Sequence, residues 1–223
     1  MLRPEAGLTG SVDPARSERL ALCDLFDELG PEGATVLEGW GTAELAAHLL
    51  TRDTRLDAVP GMALAFAHPW TLRVERGVKE ALAYDEIVRR LRRGPPALSL
   101  GRLGGWRADL HEWFVHHEDV RRAGGLGPRP DGADQRRLDD AVWSILPVFG
   151  PLLAWPVRAT VVLVSEDGRR RRVRRGADPV EVHGRPSELL LALFGRSGAA
   201  VEAIGDPGAV LAWTSRPGVA GPA

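Results

Sequence analysis

Apolar positions in the first two thirds of the chain recur every three to four residues, the period of a helix that buries one face. Asp13 and Pro14 form an N-cap with proline at the first helical position, and the pattern they open runs over about 14 to 29, until Gly30 and Pro31 stop it. Thr42 is placed to cap a second helix, on which Leu45, Ala46, Leu49 and Leu50 make one apolar stripe. Pro60 and Gly61 break the pattern, Pro69 opens a further helix, and AYDEIVRRLRRG reads as a helix closed by Gly94. After the loop enforced by Pro95 and Pro96, WRADLHEWFVHHEDVRRA runs unbroken from Trp106 to Ala123. A helix over about Ala133 to Leu146 follows, with Leu138, Val142 and Ile145 on one face, and Pro147 is expected to end it.

Beyond Trp155 the period changes to two. VRATVVLVSEDGRRRRVRRG predicts two strands joined at Glu166, Asp167 and Gly168, and VEVHG a third. Pro186 starts a short helix, SELLLALFGR, before VEAIG and AVLAW return to strand-like patterns. Helices first and strands later predict an α+β protein, a helical part over 1–150 and a smaller α+β part over 151–223, with the break between Gly150 and Pro156.

Composition narrows the classes of function. The chain has 223 residues, 44% of them hydrophobic, enough to bury a real core. A net charge of -1 argues against a general nucleic-acid binder, whose phosphate contacts need uncancelled positive charge. The one basic run, Arg169 to Arg172 with Arg174 and Arg175, suits the solvated side of the predicted hairpin. Cys23 is the sole cysteine, so no intrachain disulfide forms, and its place in a helical pattern predicts a small buried hydrophobe. The N-terminal residues lack the apolar core of a signal peptide, and no stretch is long enough to span a bilayer, so a cytoplasmic protein without a membrane partner is expected. Arginine supplies nearly all the positive charge, with Lys79 the only lysine, which fits a GC-rich genome.

Candidate chemistry concentrates on the segment from Trp106 to Ala123. A helix advances about 100° per residue, so Glu112 and His116 lie about 40° apart and one turn up, side by side on one face. Asp119 extends the same stripe. His48 interrupts an otherwise apolar stripe, placing an imidazole where a bundle core is expected, and bundle cores build metal sites from facing helices in this way. Three such ligands leave one position open for water or substrate, the mark of a catalytic site. Against this, a histidine on an apolar face is more often a hydrogen-bonded core residue than a ligand. His111 and His117 are expected to point away from the face of Glu112 and His116, whereas His68, just before Pro69, is either a ligand or a loop residue. Trp40, Trp106 and Trp113 line either a substrate pocket or, as large aromatics more often do, the core.

The strings GWGTAELAAHLLTR, EWFVHHEDVRRA and GRPSELLLALFGR, in this order and spacing, resemble an actinobacterial branch of the DinB-like superfamily that includes mycothiol-dependent maleylpyruvate isomerases. The resemblance spans nearly the whole chain. It implies an N-terminal four-helix bundle that binds a divalent ion, commonly zinc, through a histidine on the second helix and a Glu-x-x-x-His or His-x-x-x-His pair on a later one. His48, Glu112 and His116 match those positions. It further implies mycothiol as a small-molecule thiol partner and a small electrophilic substrate, with the metal lowering the thiol pKa for cis-trans isomerisation or thiol transfer. Substrates of that class are carboxylates, so an arginine clamp is expected, with Arg52 first and Arg121, Arg122 and Arg196 after it. The alternatives are a hydrolase, with Asp119 or Glu44 assisting water from beside the ion, and a non-catalytic metal-binding module. Imidazole and carboxylate ligands suit zinc, nickel, iron and manganese alike.

Overall fold

A computed structural model describes residues 13–55, 68–96 and 105–215. The first helix, α1 (Pro14–Leu29), starts as its sequence predicts: the Asp13 carboxylate accepts the Arg16 N–H at 3.0 Å, and Gly30, at φ 70°, ends it. In α2 (Thr42–Thr54), Thr42 is not the cap but the first helical residue. Gly41 takes the cap position and donates its N–H to the Glu44 carboxylate at 2.9 Å. The Thr42 hydroxyl instead ties down the preceding turn, donating to the Gly30 carbonyl and accepting the Gly33 N–H. Helices α3 (His68–Ala81), α4 (Tyr84–Arg93, closed by Gly94) and α5 (Trp106–Ala123) follow the predicted segments. The break predicted at Pro60 and Gly61 lies outside the described residues.

Helix α6 (Ala133–Leu153) runs on through Pro147 and Pro151, so the predicted stop at Pro147 is corrected. A proline removes one helical hydrogen bond, but packing of the surrounding turns can outweigh that loss. Here the last turns lie against the sheet, with Gly150 buried at Val173. The helix ends at Leu153, within the interval from Gly150 to Pro156 where the change from helices to strands is expected.

The sheet contains β1 (Thr160–Ser165), β2 (Arg170–Arg174), β3 (Pro179–Gly184) and β4 (Glu202–Gly205), in the order β2-β1-β3-β4. β1 and β2 form the predicted hairpin, whose turn uses Gly168 at φ 85°. β1 and β3 are parallel, with Val161 beside Val180 and Leu163 beside Val182, all buried. Helix α7 (Pro186–Leu193) covers β1 and β3 and reaches α5 and α6. AVLAW is not a strand but part of α8 (Pro207–Thr214). Asp206 caps it by accepting the Gly208 and Ala209 N–H groups, and Pro207 sets the first turn, a helix start that outweighs the apolar run.

The arginine run sits on an edge strand, where charge discourages pairing with another chain. Arg170 pairs with Glu181, Arg169 reaches Asp140 and Asp167, and Arg171 lies over Trp143. Among the described residues eight helices and one four-stranded sheet make an α+β fold. One continuous apolar core runs from Leu22 and Phe26 of α1 through Leu45 and Leu49 of α2, Leu110 and Phe114 of α5 and Val161 of β1 to Trp213 of α8. No helix among the described residues is long and apolar enough to cross a membrane.

Candidate metal centre

Helix α2 carries His48 and α5 carries Glu112 and His116, and the fold brings one donor atom from each to within 4.8 Å of the other two. That is the spacing at which one ion can bind all three. His48 and His116 are buried, with ring centroids 5.4 Å apart, while the Glu112 side chain keeps 21% of its surface exposed. Trp40 packs edge-on against His48 at 5.4 Å.

Each imidazole is held by a carboxylate on its far side. His48 Nδ1 lies 2.7 Å from Glu75 Oε1, and His116 Nδ1 lies 3.0 Å from Asp119 Oδ2. An ionised carboxylate only accepts, so each Nδ1 carries the hydrogen and each Nε2 presents a lone pair. Asp119 is held in turn by a two-pronged contact from Arg196, whose Nε and Nη2 each donate at 2.8 Å. His116 Nε2 faces Glu112 Oε2 at 3.5 Å, two acceptor atoms that are compatible only with a positive charge shared between them, a proton or a cation.

The electrostatics favour that charge. Burial would raise the Glu112 pKa, but the Arg52 guanidinium and the His111 and His116 rings hold it well below the usual carboxylate range. Burial would lower His116, yet Asp119 and Glu112 raise it. Burial likewise opposes the ionisation of Asp119, and His116 and Arg196 overcome it, lowering its pKa. The donor set thus fits a divalent ion: two oriented imidazoles and one ionised carboxylate.

Other residues singled out in the sequence have different partners. Arg52 donates to Asp109 Oδ1 at 2.8 Å and to the Ala108 carbonyl, and its Nε lies 3.7 Å from Glu112 Oε1. Arg121 pairs with Glu118, and Arg122 bridges Glu118 to Glu188 and the Gly198 carbonyl. Arg52, Arg121, Arg122 and Arg196, the arginines expected to clamp a substrate, each hold a carboxylate of the protein itself. Glu44 is not beside the histidines' donor atoms; its carboxylate caps α2 and pairs with Lys79. His117 points away as expected, to Glu18 and Arg129. His111 does not: its Nε2 lies 3.4 Å from Glu112 Oε1. The side chain of His68 lies outside the described residues. Trp113 is core, whereas Trp40 and Trp106 are only partly buried.

Sequence reasoning missed Glu75 and the contact of His111. Glu75 carried a signal, since it interrupts the stripe of Thr71, Val74 and Val78 as His48 interrupts its own. The orientation of His111 carried none.

No family model matches the chain, and no curated protein does. A crystal structure of a histidine-to-alanine mutant of the mycothiol-dependent maleylpyruvate isomerase is similar in fold, with a TM-score of 0.53 and 14% identity over 85% of this chain and 90% of that one. A second crystal structure of the mycothiol-dependent maleylpyruvate isomerase gives a TM-score of 0.49 and 15% identity over the same shares. The chain therefore shares the fold of that isomerase.

Proposed function

We propose that this chain is a metal-dependent enzyme of the mycothiol-dependent maleylpyruvate isomerase type, acting with a low-molecular-weight thiol on a small electrophile. The observation that carries the reading is the set of His48, Glu112 and His116, each imidazole backed by its own carboxylate, in a chain with the isomerase fold. Zinc is the ion proposed first, because it commonly takes two imidazoles and a carboxylate and is the common ion of the family the chain resembles. A divalent ion held there supplies Lewis acidity, lowering the pKa of a thiol that coordinates it.

The chain's own residues do the rest. Glu75 and Asp119 keep both Nε2 atoms facing one point, and Arg196 keeps Asp119 ionised in a buried position. Cys23 cannot supply the thiol: it is buried in the bundle core, and burial pushes its pKa up to about 12. The thiol therefore comes from outside, which suits mycothiol. In the isomerase reading its sulfur adds to a conjugated cis double bond, the electron pair moves onto the conjugated carbonyl, the former double bond rotates, and the sulfur leaves with the trans product formed. In the transferase reading the carbon–sulfur bond stays and the carbanion takes up a proton.

The hydrolase alternative finds less support, because Asp119 already binds Arg196 and His116 and Glu44 binds Gly41 and Lys79, so neither is placed as a base. The test is metal content by mass spectrometry of the purified protein, beside His48→Ala and His116→Ala. Near-stoichiometric metal in the parent, lost in both variants, is expected; turnover of a cis-conjugated carboxylate such as maleylpyruvate should then require added thiol. No metal, or retention in both variants, would sink the ligand assignment. Thiol-independent turnover would replace this reading with hydrolysis.

A further inference from the structure

We propose that His111 is a positioning residue of the metal centre: together with Arg52 it holds Oε1 of Glu112, so that Glu112 offers an ion Oε2 alone and one coordination position stays open. The inference rests on the reading of His48, Glu112 and His116 as ligands.

Helix geometry alone does not produce the contact, since neighbouring residues on a helix diverge by about 100°. Tertiary packing does. The His111 ring packs against two phenylalanines, with Phe149 of α6 at 3.9 Å between centroids and 31° between planes, and Phe194, just after α7, at 6.0 Å and 27°. Held in that slot, its Nε2 is 3.4 Å from Glu112 Oε1, and Arg52 Nε is 3.7 Å from the same oxygen. The other oxygen, Oε2, faces His116 Nε2 at 3.5 Å. The two oxygens of one carboxylate thus have separate tasks.

The ring also shows that packing is not its whole role. A carboxylate only accepts, so Nε2 carries the hydrogen, and Nδ1 is left buried without a hydrogen-bond partner among the described residues. A buried polar atom without a partner is costly, and a phenylalanine packed against Phe149 and Phe194 would avoid that cost. What a histidine supplies here and a phenylalanine does not is the N–H toward Glu112. A carboxylate with one oxygen held by the His111 N–H and drawn by the Arg52 charge binds an ion through the other, whereas a released carboxylate can chelate with both and fill the position a thiol needs. The role requires no change in the protonation of His111.

Cobalt(II), whose visible absorption is intense at low coordination number and weak at high, is a suitable probe on the full chain. The parent is expected to show intense bands. His111→Phe should give weaker bands and roughly 10- to 100-fold lower affinity in competition with a chelator. His111→Gln, whose amide N–H reaches toward the same oxygen, should restore much of both. Phe149→Leu, which keeps the imidazole but loosens its slot, should move the spectrum in the same direction as His111→Phe and guards against a variant that fails to fold. A parent spectrum and affinity in folded His111→Phe, or an unmoved spectrum in Phe149→Leu, would overturn the inference while leaving the ligand assignment intact. A parent that takes up no cobalt, or a His48→Ala variant that binds as the parent does, would overturn the ligand assignment itself, and His111 with it.

Discussion

His48 Nδ1 lies 2.7 Å from Glu75 Oε1, a buried contact that joins α2 to α3 across 27 residues of sequence. It fixes the tautomer of His48 and aims its Nε2 at Glu112 and His116. Glu75→Gln removes the charge while keeping the size, so metal affinity is expected to fall about 10- to 100-fold with the fold retained. Chelator competition on the refolded variant measures it, and an unchanged affinity would separate Glu75 from the site.

The Asp119 side chain is 1% exposed, and His116 and Arg196 together overcome the burial that opposes its ionisation. Arg196→Leu leaves that carboxylate with His116 as its remaining ionic partner, and losing one partner of a buried pair costs about 3–5 kcal/mol. Denaturant unfolding at neutral pH should show a loss of that order. A change below about 1 kcal/mol, the range of exposed pairs, would mean that Asp119 is solvated in solution.

Glu18 predicts an acid limb of stability. Burial would raise its pKa, but hydrogen bonds from His117 and Arg129 lower it from 4.5 to about 2. The folded value lies below the unfolded one, so the stability Glu18 contributes is complete above pH 4.5 and is lost as pH falls toward 2. The contribution is on the order of 3 kcal/mol at most. Glu18→Gln should therefore be less stable than the parent at pH 6 and approach it near pH 2, as thermal unfolding across that range would reveal.

Cys23 has no exposed surface, and its thiol stays protonated until pH nears 12. A thiolate-specific reagent at pH 8 is expected to leave it untouched in the native protein and to label it fully in denaturant. Rapid native labelling would contradict the packed core around α1.

Gly150 lies where α6 crosses β2, and a Cβ built there would fall 2.5 Å from Val173 Cγ1. Alanine gains about 1 kcal/mol in helix propensity over glycine, while overpacking a core costs about 1–3 kcal/mol. Gly150→Ala is expected to be net destabilising, and Val173→Ala in the same chain should remove the clash. Additive effects in the double variant would show that the two do not meet.

How much of this was legible in the sequence differs from element to element. The helix from Trp106 to Ala123 was fully readable, because its period, its flanking glycines and the four-residue spacing of Glu112 and His116 are all local properties of the chain. His48 was readable for the same reason, as a polar break in an apolar stripe. Local signals misled where packing or capping opposed them. Pro147 did not end α6, because the sheet holds the turns around it, and AVLAW became a helix because Asp206 and Pro207 start one.

The sequence by itself determined most of the secondary-structure types, AVLAW apart, the α+β order and a face of α5 able to bind an ion, since these follow from periods of 3.6 and 2 within single segments. Only the tertiary structure decided that Glu75 backs His48, that Arg196 holds Asp119, and that Phe149 and Phe194 pack His111 beside Glu112. Those contacts join residues tens of positions apart, and side-chain direction across such distances is set by how helices and sheet pack, a quantity no local pattern encodes.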